Sequence, residues 1–206
     1  MYSRAVNLEP VLKRKSLFLL GPRQTGKSTY LKKNYPNALY IDLLDNREFL
    51  SLRRNPSLLR EKIDYYLKKS KNFLVIIDEI QKIPELLNEV HLLIEQNKKL
   101  RFILTGSSAR KLKHGGANLL GGRASWVHFY GLVFSEIVKS KKNWPQKCIT
   151  GSLPFVFDSK KPWQDLADYV GLYLREEIQA ESLTRNLDNF FSFLETSALS
   201  NAEQIN

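Results

Sequence analysis

The chain has 206 residues, 43% apolar and 11% aromatic, with a formal net charge of +11, which is ample for one full domain with a real core. No run of 18 apolar residues occurs, so no stretch reads as a membrane-spanning helix, and the opening MYSRAVNLEP lacks the basic-then-apolar order of a signal peptide. A single cysteine, Cys148, excludes an internal disulfide and a cysteine-built zinc site, so a reducing cytoplasm is the expected location.

In chain order, Ser16–Leu20 reads as a buried strand, followed by a glycine-rich loop and a helix to about Asn34. Ala38–Leu43 reads as a second strand, then Asp45–Asn55 and Pro56–Ser70 as two helices, the second with proline in its first turn. Phe73–Ile77 is the continuous apolar, β-branched run expected of a central parallel strand. Pro84–Asn97 repeats Leu86, Leu87, Val90, Leu93 and Ile94 at helical spacing, Arg101–Thr105 is the next strand, and Trp126–Tyr130 a fifth. Five strands alternating with helices predict an α/β fold with a mainly parallel five-stranded sheet, closing near Gly131. Helical segments follow at Phe134–Lys139, Trp163–Ala180 and Ser182–Ser200. The expected division is 1–131 and a helical second part, 132–206.

The charge is uneven. Residues 1–164 hold 30 of the 32 basic residues and 13 of the 21 acidic ones, whereas 165–206 hold two basic and eight acidic. Basic clusters lie at Lys13–Lys15, Arg53–Arg54, Lys68–Lys71, Lys98–Arg101, Arg110–Lys113 and Lys139–Lys142. They suit a DNA or protein client, or simply solvated helix ends and loops, and no aromatic interleaving favours the first.

Gly21-Pro22-Arg23-Gln24-Thr25-Gly26-Lys27-Ser28 matches GxxxxGK[ST] between a strand and a helix, the context that motif needs. Its glycines permit backbone angles closed to other residues, so successive amides converge on phosphate oxygens at a helix N-terminus. Lys27 is expected on the β- and γ-phosphates of ATP, Ser28 on Mg²⁺, and Thr29 near the α-phosphate. Asp78 and Glu79 end the Phe73–Ile77 strand, with Asp78 51 residues after Lys27. Asp78 there can hold the hydration shell of Mg²⁺, and Glu79 can orient and deprotonate a water. Nucleotide kinases usually lack that glutamate, so the pair favours hydrolysis over transfer to a small-molecule acceptor.

Ile103-Leu104-Thr105-Gly106-Ser107-Ser108 ends the next strand in small hydroxyl residues. Ser107 is the candidate sensor of the γ-phosphate or water, against the alternative of a helix N-cap. Arg123, in the glycine loop LLGGRA, is a candidate finger for developing phosphate charge, or a solvated loop arginine. His91 reads as a half-buried helix residue, and His114 and His128 have no spaced partners to build a metal site.

GPRQTGKS, IIDEIQKIPELLNEVH (76–91), FILTGSSARKL (102–112) and NLLGGRA (118–124) together resemble the prokaryotic AAA-type ATP-binding proteins that carry a C-terminal domain of unknown function. Phe134-Ser135-Glu136, Gly151-Ser152-Leu153-Pro154 and Tyr173-Leu174-Arg175-Glu176-Glu177-Ile178 extend the similarity. The resemblance implies an additional-strand (ASCE) P-loop NTPase core, with the sensor strand between the P-loop and acidic strands, and Lys27, Ser28, Asp78 and Glu79 in the roles above. Members are usually longer, which implies that the second domain is truncated here. The expected function is Mg-dependent ATP hydrolysis coupled to a conformational change, in a chain that can form oligomers. A non-hydrolysing ATP-bound switch is the alternative.

Overall fold

A computed structural model describes residues 2–69, 73–107, 112, 120–138, 140, 142, 144–174 and 186–200. By internal contacts the chain separates into two compact units, 1–157 and 158–206. The segment after Gly131 thus packs with the first unit as far as Phe157.

In the first unit a short helix α1 (Glu9–Leu12) leads into β1 (Ser16–Leu20), then α2 (Lys27–Asn34), β2 (Leu39–Asp42), α3 (Asn46–Arg54), α4 (Leu58–Lys69), β3 (Leu74–Asp78), α5 (Leu86–Gln96), β4 (Arg101–Gly106) and β5 (Ala124–His128). The strands form one sheet in the order β2-β3-β4-β1-β5, every pair parallel. The sensor strand β4 lies between the P-loop strand β1 and the acidic strand β3, the arrangement the resemblance implies.

Both faces of the sheet are covered, which is why β1 and β3 read as unbroken apolar runs. Side chains alternate along a strand. Phe18 and Leu20 join one buried cluster with Ile77, Phe102 and Leu104, while Leu17 and Leu19 join another with Leu31, Ile76 and Ile103. Each fully buried side chain of this size contributes about 1.5–3 kcal/mol.

Three features among those that differ from the sequence reading do so for hydrogen-bonding reasons. β5 runs two residues earlier than expected, because its register pairs Ala124 with Ser16 and His128 with Leu20. Between β3 and α5 a turn of 3₁₀ helix, Ile80–Lys82, intervenes. Asp45 starts α3 by accepting the amides of Arg47 and Glu48 at 2.8 and 3.1 Å, an N-cap the sequence reading had counted inside the helix.

After β5 come the helices Phe134–Ile137 and Trp144–Thr150. In the second unit, Pro162–Asp168 passes into a π-helical stretch, Tyr169–Leu174, and a separate helix spans Leu187–Leu199, N-capped by Asn186. The remainder of the helices expected over 163–180 and 182–200 lies outside the described residues, as do His114 and most of the 110–113 cluster. Among the described residues no helix is long and apolar enough to cross a membrane.

Candidate functional site

β1 delivers the chain to the loop at Gly21, and the exit of β5 crosses directly over it. A Cβ built on Gly21 would stand 1.9 Å from the Phe129 carbonyl oxygen, so only glycine fits. The crossing is held by the Phe129 amide on the Leu20 carbonyl at 2.6 Å. Gln24 (φ 59°) and Gly26 (φ 91°) are left-handed, and these two residues turn the loop back on itself. The Thr25 hydroxyl, fully buried, ties the loop across to the Pro22 carbonyl at 2.9 Å. α2 then starts at Lys27 with no capping side chain, leaving its first amides for an anion. Lys27 is 6% exposed, and its ammonium donates to the Gly21 and Pro22 carbonyls at 2.6 and 2.7 Å. Pro22, Arg23, Gln24 and Thr29 are exposed around this ring.

The second half of the site is the C-terminal end of β3. Asp78 is 2% exposed and accepts three hydroxyls from three elements: Ser28 Oγ of α2 at 2.7 Å, Tyr40 OH of β2 and Thr105 Oγ1 of β4. Burial first, then the bond to Asp78 and its charge, pushes the Tyr40 phenol well above its ordinary range, so Tyr40 stays a donor. The next residue, Glu79, is left-handed (φ 62°), a conformation worth about 1 kcal/mol of strain for a side chain of its kind. Its amide is fixed on Thr105 Oγ1 at 3.0 Å, and its carboxylate accepts the Gln81 side-chain amide. Gly106 gives Gln81 room: a Cβ there would meet Gln81 Oε1 at 2.7 Å.

Ser28 and Asp78 are thus joined across about fifty residues of sequence, and hard oxygen donors on a hydroxyl and a carboxylate suit Mg²⁺. Ser107 follows β4, and its hydroxyl is buried with no hydrogen-bond partner among the described residues. Thr105, two residues earlier, is the β4 hydroxyl that meets Asp78. Arg123 is not brought to the loop. It precedes Ala124, which pairs with Ser16 at the start of β1, so it lies at the opposite sheet edge, about 16 Å of strand from Gly21. There its guanidinium pairs with Glu95 and donates to the Gly121 carbonyl at 3.1 Å.

That opposite edge also collects Lys13–Lys15 ahead of β1, Lys98–Arg101 ahead of β4 and Lys68–Lys69 at the end of α4. His91 is half-buried in α5, and His128 stacks on Tyr130 with ring centroids 5.7 Å apart.

Four residues of the site are not singled out by the sequence reading: Arg4 at the loop, and Tyr40, Gln81 and Thr105 at the acidic end of β3. Arg4 carried no local signal. It is 9% exposed, and its guanidinium donates to the Thr25 carbonyl of the loop at 2.6 Å.

The family model of the AAA domain matches residues 13–138, more than half of the chain. The chain belongs to the AAA domain family. Within this AAA domain the matched span runs from the approach to β1 through the helix after β5, so it contains Gly21–Ser28, Asp78, Glu79 and Thr105. A Walker-type ATPase of Pyrococcus abyssi is similar over 94% of this chain and 74% of its own, at 17% identity and a TM-score of 0.52. Domain III of the Thermotoga maritima replication initiation protein DnaA covers 84% and 82%, at 14% identity and a TM-score of 0.37. PCH-2 of C. elegans covers 75% and 48%, at 14% and 0.42. At these identities the likeness is one of fold, and the first match carries it. No curated protein matches the AAA domain described here. Family and fold make it an ATP-binding domain of the P-loop ATPase class.

Proposed function

We propose that this AAA domain binds Mg-ATP at Gly21–Ser28 and hydrolyses it. One observation carries the reading: the 2.7 Å pairing of Ser28 with a buried Asp78, next to a glutamate whose backbone is fixed. The loop amides and the Lys27 ammonium would hold the triphosphate oxygens, and Ser28 and Asp78 would hold Mg²⁺. The metal would neutralise charge on the transferring phosphoryl group. Glu79 would orient a water and take its proton as the water oxygen bonds phosphorus and the bond to the bridging oxygen breaks. Thr105 would hold Asp78 and the Glu79 backbone in register throughout, and the Gln81 amide would restrain the Glu79 carboxylate.

Phosphate release measured beside Mg-ATP binding tests this. Glu79→Gln is expected to lower turnover by about 10²–10⁴-fold while affinity persists. Turnover equal to wild type refutes the assignment, and nucleotide-dependent stabilisation without any wild-type turnover replaces it with an ATP-bound switch.

We infer that the segment after Gly131, which packs with the first unit as far as Phe157, relays the nucleotide state. The gathering of Lys13–Lys15, Lys68–Lys69 and Lys98–Arg101 on the edge away from the loop supports a phosphodiester partner that could bind while the loop is filled. Retardation of duplex DNA that fades steeply between 50 and about 200 mM salt, and is lost in Lys13→Glu/Lys99→Glu, is the expected result. No retardation at low salt removes the partner.

A further inference from the structure

Arg4 stands 21 residues before the loop carbonyl it touches and 132 before its ion partner. Its Nε meets Glu136 Oε2 at 3.0 Å, and Nη1 donates to the Thr25 carbonyl at 2.6 Å. Nη2 donates to the Tyr130 and Gly131 carbonyls at 2.7 and 2.9 Å, and the guanidinium carbon lies 4.2 Å from the centroid of the Phe129 ring. Glu136, with a side chain 4% exposed, also accepts the amides of Ala5 at 2.5 Å and Val133 at 3.1 Å. Every arm of the pair is used.

A buried ion pair of this kind is a poor source of stability, because removing both charges from water offsets their attraction. What a guanidinium supplies instead is a rigid planar fork, with donors at fixed angles. Here the fork joins three segments of the chain, two through backbone carbonyls and one through the Glu136 carboxylate. The first is the phosphate loop, at the residue before left-handed Gly26. The peptide between Thr25 and Gly26 is a trans plane, so its carbonyl and its amide N–H point opposite ways. Pinning the Thr25 oxygen on Arg4 therefore holds the Gly26 N–H pointing away from Arg4. The second piece is the turn at Tyr130–Gly131, where β5 hands over to the following segment. The third is the helix Phe134–Ile137, whose first turn carries Glu136. That segment is itself tightly seated. The Leu132 amide donates to the Ser152 carbonyl at 2.6 Å, and Leu132, Ile137 and Phe157 form a small buried cluster with Tyr2 beside it.

We propose that Arg4 is a positioning residue of the nucleotide site, and that with Glu136 it links occupation of the phosphate loop to the segment 130–137. This rests on the nucleotide reading of Gly21–Ser28 for its consequence, though the link itself exists without ligand. The charge alone does not account for the role, since one ammonium cannot reach the same three backbone sites and Glu136 together.

The test uses the full chain, with Mg-ATP as the probe, below the thermal midpoint of each variant and with folding checked by circular dichroism. Arg4→Gln is expected to weaken Mg-ATP at least about tenfold, on the scale of one charge-assisted hydrogen bond. Arg4→Lys should lose nearly as much, because the fork is gone while the charge remains, and Glu136→Gln should fall between. Hydrogen exchange adds a readout that a merely structural role would not move. In wild type, Mg-ATP should slow the amides of 133–137 as well as those of 25–28, and in Arg4→Lys the first effect should vanish at saturating nucleotide. If Arg4→Gln does not fold, Arg4→Lys and Glu136→Gln carry the same comparison. Wild-type affinity in Arg4→Lys, with 133–137 still protected by nucleotide, overturns the proposal. Failure of wild type to bind Mg-ATP overturns the site reading instead. The link is then decided by ligand-free exchange: amides of 25–28 and 133–137 exchanging faster together in Arg4→Lys support it, and unchanged exchange overturns it.

Discussion

Thr105→Val isolates one oxygen atom at the centre of the site. Thr105 is fully buried at the end of β4, and valine keeps its branched shape while removing Oγ1. Two bonds disappear with that atom: the donation to the Asp78 carboxylate and the acceptance of the Glu79 amide at 3.0 Å. A hydrogen bond to a charged group is worth about 1.5–3 kcal/mol and a neutral one about 1 kcal/mol, so the loss amounts to about 3 kcal/mol. Urea unfolding followed by circular dichroism measures it directly. Turnover should fall at least about tenfold as well, because Glu79 keeps its left-handed backbone only while its amide has a fixed partner. Ser107→Ala is the contrasting variant. The Ser107 hydroxyl is buried with no partner among the described residues, so its removal should leave ligand-free stability within about 0.5 kcal/mol of wild type. If Thr105→Val unfolds at the wild-type urea midpoint and turns over ATP normally, the role given to Thr105 is wrong. If Ser107→Ala alone abolishes turnover, the sensor is Ser107.

Gly21→Ala should be severe, since the new Cβ meets backbone instead of a movable side chain; a loss of about 3 kcal/mol or more is expected. Chemical denaturation checks it, and a wild-type midpoint would show that the β5 exit is free to move. At the far edge, the Lys98 ammonium first and the Arg123 guanidinium second hold the Glu95 carboxyl down to about 2. A depressed acid stabilises the fold above its unfolded value near about 4.3, and that contribution is lost as pH falls through about 2. Lys98→Ala and Arg123→Ala should each raise the Glu95 midpoint in an NMR titration, the first more. A wild-type midpoint near 4.3 would remove the arrangement.

Local chemistry made part of this legible. GPRQTGKS needs its glycines wherever it occurs, and the apolar run ending in Asp78-Glu79 marked a strand buried on both faces. The partner of Asp78 was another matter. The register pairs Ile77 with Leu104, so one step further Thr105 faces Asp78 and Ser107 has already passed it. That depends on a pairing between strands, and a reading of the β4 segment alone sees only three hydroxyls within four residues, 105–108. The place of Arg123 depends on pairing in the same way: a glycine loop advertises freedom to move, whereas its sheet edge, away from the loop of its own chain, follows from the direction of β5. The β5 boundary slipped because the apolar run continues through Phe129 after the ladder has ended. Arg4 could not be found from the sequence, because each of its contacts joins residues at least 21 positions apart.

The Lys27 contacts carry a consequence of their own. With Gly21 and Pro22 gripped through their oxygens, the ammonium acts as a strut inside the ring that it helps to close. On the proposed function an incoming triphosphate would have to draw that strut away from main-chain oxygens before gaining the charge, so its affinity would be a difference between two lysine embraces. Truncating the side chain removes both at once, and the cradle loses its shape together with its grip.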